Sequence, residues 1–186
     1  MHFHALPAES ENENSIDNDL RNYKIKNVNN LVIASININS IRNKFEELKL
    51  LVNGNADILI VQETKIDETF PTGQFIIDGY MPPFRRDRNQ FGGGLLIYVK
   101  DNIPAKLVNE HLISDDIESI FIELNFRRNK WLLMGTYHPP SQCTKYFYDE
   151  VGKALDCYAN THENILLVGD FNILMKRSQR PILRIF

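Results

Sequence analysis

Four places in this sequence put a polar side chain where an apolar run gives way to loop. Asn37 follows "LVIASI", Glu63 follows "ILIVQ", Tyr137 follows "KWLLMGT", and Asp170 and Asn172 close "LLVGDFN". Polar groups at strand ends cost the core nothing and can converge on one point, where ligands of α/β folds gather. Glu63 offers a hard carboxylate oxygen suited to Mg2+, an ion that takes one or two carboxylates and keeps several waters. Asn37 offers a neutral carbonyl ligand or a hydrogen bond to phosphate. Asp170 can orient or deprotonate a water, with Asn172 holding its geometry. Tyr137 can donate its hydroxyl to a charged oxygen near phosphorus. Each has a plainer reading alone: a solvated acid, an Asx-turn at Asp-x-Asn, a packing tyrosine ahead of two prolines. Together, each at the end of an apolar run, they point to a metal-dependent hydrolase.

The elements that must carry these residues are legible in the apolar pattern. "LVIASI" has the length of a buried strand. Asn39-Ser40 offers an N-cap, and Ile41, Phe45, Leu48 and Val52 repeat at helical spacing as far as Gly54. "ADILIVQE" is a second buried strand, so the opening unit predicts a parallel, right-handed strand–helix–strand crossover. Residues 64–91, with Pro71, Pro82 and Pro83, predict loops with at most short structure. "GLLIYVK", "IESIFIELNF" and "KWLLMGTYHP" read as strands, the last two joined by a hairpin turn at "FRRN". Phe147, Val151, Leu155 and Tyr158 form the apolar stripe of a helix over 144–159, and "NILLVGD" is a final strand. This mixture predicts layered sheets covered by helices.

At 186 residues the chain has room for one domain with a real core. A net charge of −3 gives no general affinity for nucleic acid, so a basic surface would have to be local. Residues 1–30, with the acidic run "ESENENSIDND", are expected to be a flexible polar leader. His2 and His4 share a face of any extended segment but have no third ligand nearby. The absence of an apolar signal segment predicts an intracellular, non-secreted protein, with Cys143 and Cys157 as free thiols and no disulfide. The longest apolar runs are too short for a membrane span.

"FGGGLLIYV" leads into a strand and lacks the Lys-Ser/Thr of a phosphate loop, so its glycines predict a tight lead-in to that strand. Two basic clusters, Arg85 and Arg86 with Arg88, and Arg127 and Arg128 with Lys130, are candidate contacts to a phosphate backbone if they flank Glu63. Otherwise they are solvated turns.

At these residues the sequence resembles the endonuclease/exonuclease/phosphatase superfamily, which includes pancreatic DNase and the abasic-site repair endonucleases. Within it, the chain resembles the endonuclease domain of LINE-type (non-LTR) retrotransposons. The boxes are "SININSIRNK", "ADILIVQETK", "GGGLLIYV", "GTYHPPS" and "LLVGDFN", in family order over residues 31–175. The resemblance implies a DNase-like α+β or α/β fold, a four-layered sandwich of two packed sheets flanked by helices. It implies a phosphodiesterase dependent on Mg2+ (or Mn2+) that nicks DNA to leave a 3′-hydroxyl, in the nucleus if its substrate is genomic. Glu63 matches the family's metal-binding acid and Asn37 the metal- or phosphate-proximal amide. Tyr137 matches the tyrosine near the scissile phosphate, and Asp170 with Asn172 the pair that activates water. Asn39 stands where repair enzymes often carry an acid, and its amide resembles the retrotransposon branch, close to nucleic acid.

The family pattern continues past "GDFN" to a late Ser/Thr-Asp-His box that has no counterpart here. The expectation is a C-terminally truncated domain that lacks its last strands, weak or inactive, with residues 176–186 a basic tail outside the family. Two other readings stay open: a phosphatase or phosphodiesterase acting on a small phosphoester, and a non-catalytic fragment that holds nucleic acid.

Overall fold

In the computed structural model, residues 4–5, 13–52, 54–108, 113–172 and 183–185 are described. In chain order the elements are β1 (His4–Ala5), α1 (Glu13–Lys26), β2 (Ile33–Asn37), α2 (Phe45–Val52) and β3 (Ile58–Gln62). A 3-10 turn (Thr72–Phe75) precedes β4 (Phe84–Arg86), β5 (Leu95–Val99) and β6 (Ala105–Leu107). Then come β7 (Glu118–Phe126), β8 (Asn129–Tyr137), α3 (Thr144–Ala159), β9 (Asn164–Asp170) and β10 (Leu183–Ile185).

The strands form two sheets, one ordered β1-β10-β2-β3-β5-β4 and one ordered β6-β7-β8-β9. Alternation along the strands builds the layers. Leu59 and Val61 of β3 face a core shared with Leu20 of α1 and Leu48 and Val52 of α2. Their neighbours Ile58 and Ile60 face the other way, onto Ile120, Ile122 and Leu133 of the second sheet. Phe121, Leu132 and Met134 face outward from that sheet onto Phe147, Val151 and Ala154 of α3. The order helix, sheet, sheet, helix is the four-layered sandwich expected from the resemblance. Strands buried on both faces explain the unbroken apolar runs.

β2 and β3 are parallel, Ile33 opposite Ile58 and Asn37 opposite Gln62, as the first crossover requires. β8 and β9 are also parallel, Tyr137 opposite Asp170. These two registers bring the ends of four strands, and the polar residues on them, to one rim of the sandwich.

Three expectations need correction. The polar leader is not free throughout: residues 13–26 form α1, which buries Leu20 completely. Lys24 Nζ lies 2.5 Å from Asp57 Oδ2, ahead of β3. Among the described side chains, Leu20, Tyr23 and the Lys24–Asp57 ion pair dock a helix that its composition alone would leave in solvent. Second, α2 begins at Phe45, not at Ile41 directly after an Asn39-Ser40 cap. Asn39 and Ser40 have φ of 47° and 85°, a left-handed bend that no helix can include. Third, the basic tail is not wholly outside the fold, because Leu183–Ile185 pairs with Ile36–Ala34 of β2 and extends the first sheet. Among the described residues β9 is an edge of the second sheet. His2 and the cations Lys176, Arg177 and Arg180 lie outside the described residues.

No described helix is long and apolar enough to cross a membrane. Cys143 and Cys157 are both exposed, unpaired thiols.

Candidate active site

The amide of Asn37 is the centre of the site. Its Nδ2 donates to Glu63 Oε1 at 2.8 Å and to Asp170 Oδ2 at 2.9 Å. Two carboxylates 107 residues apart in sequence thus meet at one nitrogen. Its Oδ1 accepts the backbone N–H of Asn39 at 3.1 Å, which settles the orientation of the amide. With its oxygen so engaged, Asn37 bridges the acids as a donor, where the sequence pointed to a carbonyl ligand or a phosphate contact.

Tyr137 donates its hydroxyl to the same Glu63 Oε1 at 2.8 Å. The ring is buried, and that burial is the largest influence raising the phenol pKa above its ordinary value. The hydrogen bond to Glu63 and the negative charges of Glu63, Glu118 and Asp170 add to it. Tyr137 therefore keeps its proton and remains a donor.

Asp170 is fixed from its own loop. The N–H of Asn172 donates to Asp170 Oδ1 at 3.1 Å, an Asx-turn with Asn172 at φ 46°. The side chain of Asn172 donates instead to the carbonyl of His138 at 2.8 Å, locking together the loops after β8 and β9. The Asx-turn weighed as the plain alternative is present, and it aims the acid.

Lys65 belongs to this cluster and was not singled out from sequence. Its Nζ lies 3.7 Å from Glu63 Oε2 and donates to Asn39 Oδ1. Its signal in the sequence is its place two residues beyond the acid, in "QETK". Asn39 therefore stands at the rim, tied to Asn37 and Lys65.

The remaining basic candidates differ in place and in partners. Arg85 spends its guanidinium on Asp87, on the carbonyls of Asp67 and Phe70 and on Thr72, so it organises a loop. Arg86 donates to the carbonyl of Asp115 at 2.8 Å with its side chain 19% exposed. Arg127 and Arg128 form the β7–β8 turn, both with positive φ. Glu118 pairs with Tyr137 at one end of that hairpin and Phe126 with Asn129 at the other. Eight residue steps place the turn about 27 Å from the rim. Of the two basic clusters, the one at Arg127 and Arg128 does not flank Glu63, whereas Arg86 stands opposite Leu95, itself opposite Gln62, at the Glu63 end of the first sheet.

His138 follows Tyr137 but is buried, its ring nitrogens against the carbonyls of Phe171 (2.8 Å) and Gln142 (3.1 Å). His162 precedes β9, at the strand end opposite Asp170, and lies 3.3 Å from Glu123 Oε2. Neither reaches the acids.

The donor set suits a hard divalent cation. Among the described residues no group of three or more His, Cys, Asp or Glu is arranged to hold a metal ion by itself. What the rim provides is two converging carboxylates, the number Mg2+ commonly takes.

Residues 34–182 match the sequence profile described as the Endonuclease/Exonuclease/phosphatase family, from β2 to the lead-in of β10. No curated protein matches the chain. Among solved structures, the chain is similar to the 3′ phosphatase NExo from Neisseria bound to product DNA hairpin, at 20% identity and a TM-score of 0.56. It is similar to an AP endonuclease from Archaeoglobus fulgidus at 22% identity and a TM-score of 0.53. In both cases 77% of this chain is covered, and it spans 58% of the other. The endonuclease domain of TRAS1, a telomere-specific non-LTR retrotransposon, aligns at 12% identity and a TM-score of 0.57, over 76% of this chain and 58% of that one. Identities this low speak for the fold. The profile match covers most of the sequence and includes every residue of the Asn37–Glu63–Tyr137–Asp170 cluster, and on that ground the chain belongs to the endonuclease/exonuclease/phosphatase family.

Proposed function

We propose that this chain is a Mg2+-dependent phosphodiesterase domain of the DNA-nicking type, nearest in character to the endonucleases of non-LTR retrotransposons. The observation that carries the reading is the single Asn37 nitrogen shared by the carboxylates of Glu63 and Asp170, with Tyr137 on the first of them.

Displacement at phosphorus needs negative charge offset and a nucleophile held in line. Glu63, with Asp170 close by, would hold the cation; when bound, the ion supplies Lewis-acid stabilisation of the charge on the phosphate. Asp170 accepts the proton of the attacking water, its Oδ1 steadied by the Asn172 N–H. Tyr137, kept protonated, donates to Glu63 and orients it. Asn37 keeps the two acids in register and offsets part of their repulsion. Lys65 places a positive charge at the rim, where a phosphodiester oxygen would arrive. No described histidine stands at this centre, so the proposed activity is weak: one general acid or phosphate anchor commonly contributes about 10²–10⁴-fold.

The test is nicking of supercoiled plasmid with Mg2+, with and without chelator. The expected result is slow, chelator-sensitive nicking that leaves 3′-hydroxyl ends and disappears in Glu63→Ala. Phosphate release from small esters without nicking would move the reading to a phosphatase. Salt-sensitive DNA binding without cleavage would leave a non-catalytic nucleic-acid-binding domain.

A further inference from the structure

Glu118 opens β7 and is 6% exposed, a carboxylate inside the protein that the proposed chemistry does not use. A buried charge persists only where partners replace its water. Glu118 has two. Its Oε2 accepts the backbone N–H of Gly94 at 2.6 Å, and its Oε1 accepts Arg88 Nη1 at 2.9 Å.

The glycines it holds are themselves a support. The Gly94 carbonyl accepts the Thr64 N–H at 3.3 Å, and the Gly93 carbonyl accepts the Lys65 N–H at 3.0 Å. Across the same segment, the Glu63 and Thr64 carbonyls accept the N–H groups of Ser40 and Ile41 at 2.8 and 3.0 Å. The segment between these supports is unfavourable by itself, with Glu63 and Lys65 at φ 53° and 52°. Left-handed backbone at non-glycine residues persists only where its surroundings over-determine it.

Space at the contact is tight. A Cβ on Gly93 would lie 2.5 Å from both carboxylate oxygens of Glu118, and one on Gly94 would lie 2.3 Å from Thr64 Oγ1. Both glycines have positive φ, 70° and 91°. The glycine run of "FGGGLLIYV" thus lets a strand lead-in fit between a buried acid and the turn that bears Glu63.

We propose that Glu118 is a positioning residue for the Glu63 carboxylate: by holding the Gly94 N–H it sets the Gly93–Gly94 carbonyls on which the Glu63–Lys65 turn hangs. The inference rests on the reading of Glu63 as the metal-holding acid. Glu118 joins the second sheet to a loop of the first, and Tyr137 opposite it in the register reaches Glu63 from the same side. Both contacts to the acid's turn are thereby referred to one end of the β7–β8 hairpin.

The experiment uses the full chain, comparing wild type, E118A, E118D, E118Q and E63A by amide hydrogen exchange and by Mn2+ binding. In E118A, protection of the Gly94, Thr64 and Lys65 amides is expected to fall about tenfold, the loss of roughly one hydrogen bond. Amides in the middle of β7 and β8 keep theirs. The Mn2+ dissociation constant rises about 10–100-fold, as for other residues that orient a ligand. E118Q keeps an acceptor for the Gly94 N–H and restores most of both. E118D keeps the charge but falls one methylene short, and it behaves as E118A does, which serves if E118A does not fold. Wild-type Mn2+ affinity or wild-type local protection in E118A and E118D would overturn the role of Glu118. Absence of Mn2+ binding by wild type, or its persistence in E63A, would instead overturn the metal reading of Glu63, and this inference with it.

Discussion

Asn37 is the residue whose removal should be felt most beyond the acids themselves. Its two donated bonds hold Glu63 and Asp170 together, and an alanine there leaves like charges facing each other without a shared donor. Asn37→Ala is expected to weaken Mn2+ binding about 10–100-fold with little change in melting temperature, measured by titration calorimetry and thermal unfolding. Tyr137→Phe deletes one donor to Glu63 and is expected to cost a similar factor in Mg2+-dependent nicking. The Tyr137 phenol is held above its ordinary pKa, so wild-type activity should show no loss from its ionisation through neutral and mildly alkaline pH. An alkaline limb near pH 8 that vanishes in Tyr137→Phe would contradict this assignment. Asn37, Glu63, Tyr137 and Asp170 were readable as candidates because each ends an apolar run. The direction of the Asn37 amide was not, because the backbone of Asn39 sets it.

At the scale of elements, the glycine of "GDFN" lets β9 sit close to β8. A Cβ at Gly169 would lie 1.8 Å from the carbonyl oxygen of Thr136, so Gly169→Ala must push the strands apart and carry Asp170 with them. Its expected outcome is a destabilisation of at least the ~1–3 kcal/mol of ordinary overpacking, with loss of activity, by denaturant unfolding and nicking. Helix α1 docks through Leu20, which is fully buried against the first sheet and α2. Leu20→Ala should cost about 2–5 kcal/mol by the same unfolding measurement; a value near zero would show that the helix contributes nothing. On the second sheet, Glu123 is surrounded by Lys130, Lys106 and His162. The bond from Lys130, with further help from Lys106 and His162, outweighs the effect of burial and holds its pKa down to about 2. A depressed carboxylate stabilises the fold above its unfolded pKa of roughly 4.3, and that contribution is lost as pH falls toward 2. Glu123→Gln should flatten the stability profile between those values, followed by circular dichroism. The hairpin, α3 and the first parallel pair were legible because their periods are clean. Helix α1 was not, because Ile16, Leu20 and Tyr23 are thinly spaced among polar and charged residues.

Taken whole, the molecule has two ends with different work. One rim gathers the strand ends that bear Asn37, Glu63, Tyr137 and Asp170; the far end carries the Arg127–Arg128 turn. Replacing both arginines with alanine should leave nicking and its salt dependence unchanged, because charges so distant are screened at ordinary ionic strength. The same double change reducing DNA affinity would give the far end a role in binding. From the sequence alone came the main strands, α2 and α3, the sandwich architecture through its family boxes, and Asn37, Glu63, Tyr137 and Asp170 at the rim, since these depend on local period and local spacing. The tertiary structure alone decided which cations stay available, where the polar leader docks, and that Glu63 and Asp170 share one amide nitrogen. Those outcomes rest on register and crossover between segments far apart in the chain, and a one-residue slip in either parallel pairing would turn the same side chains away from one another.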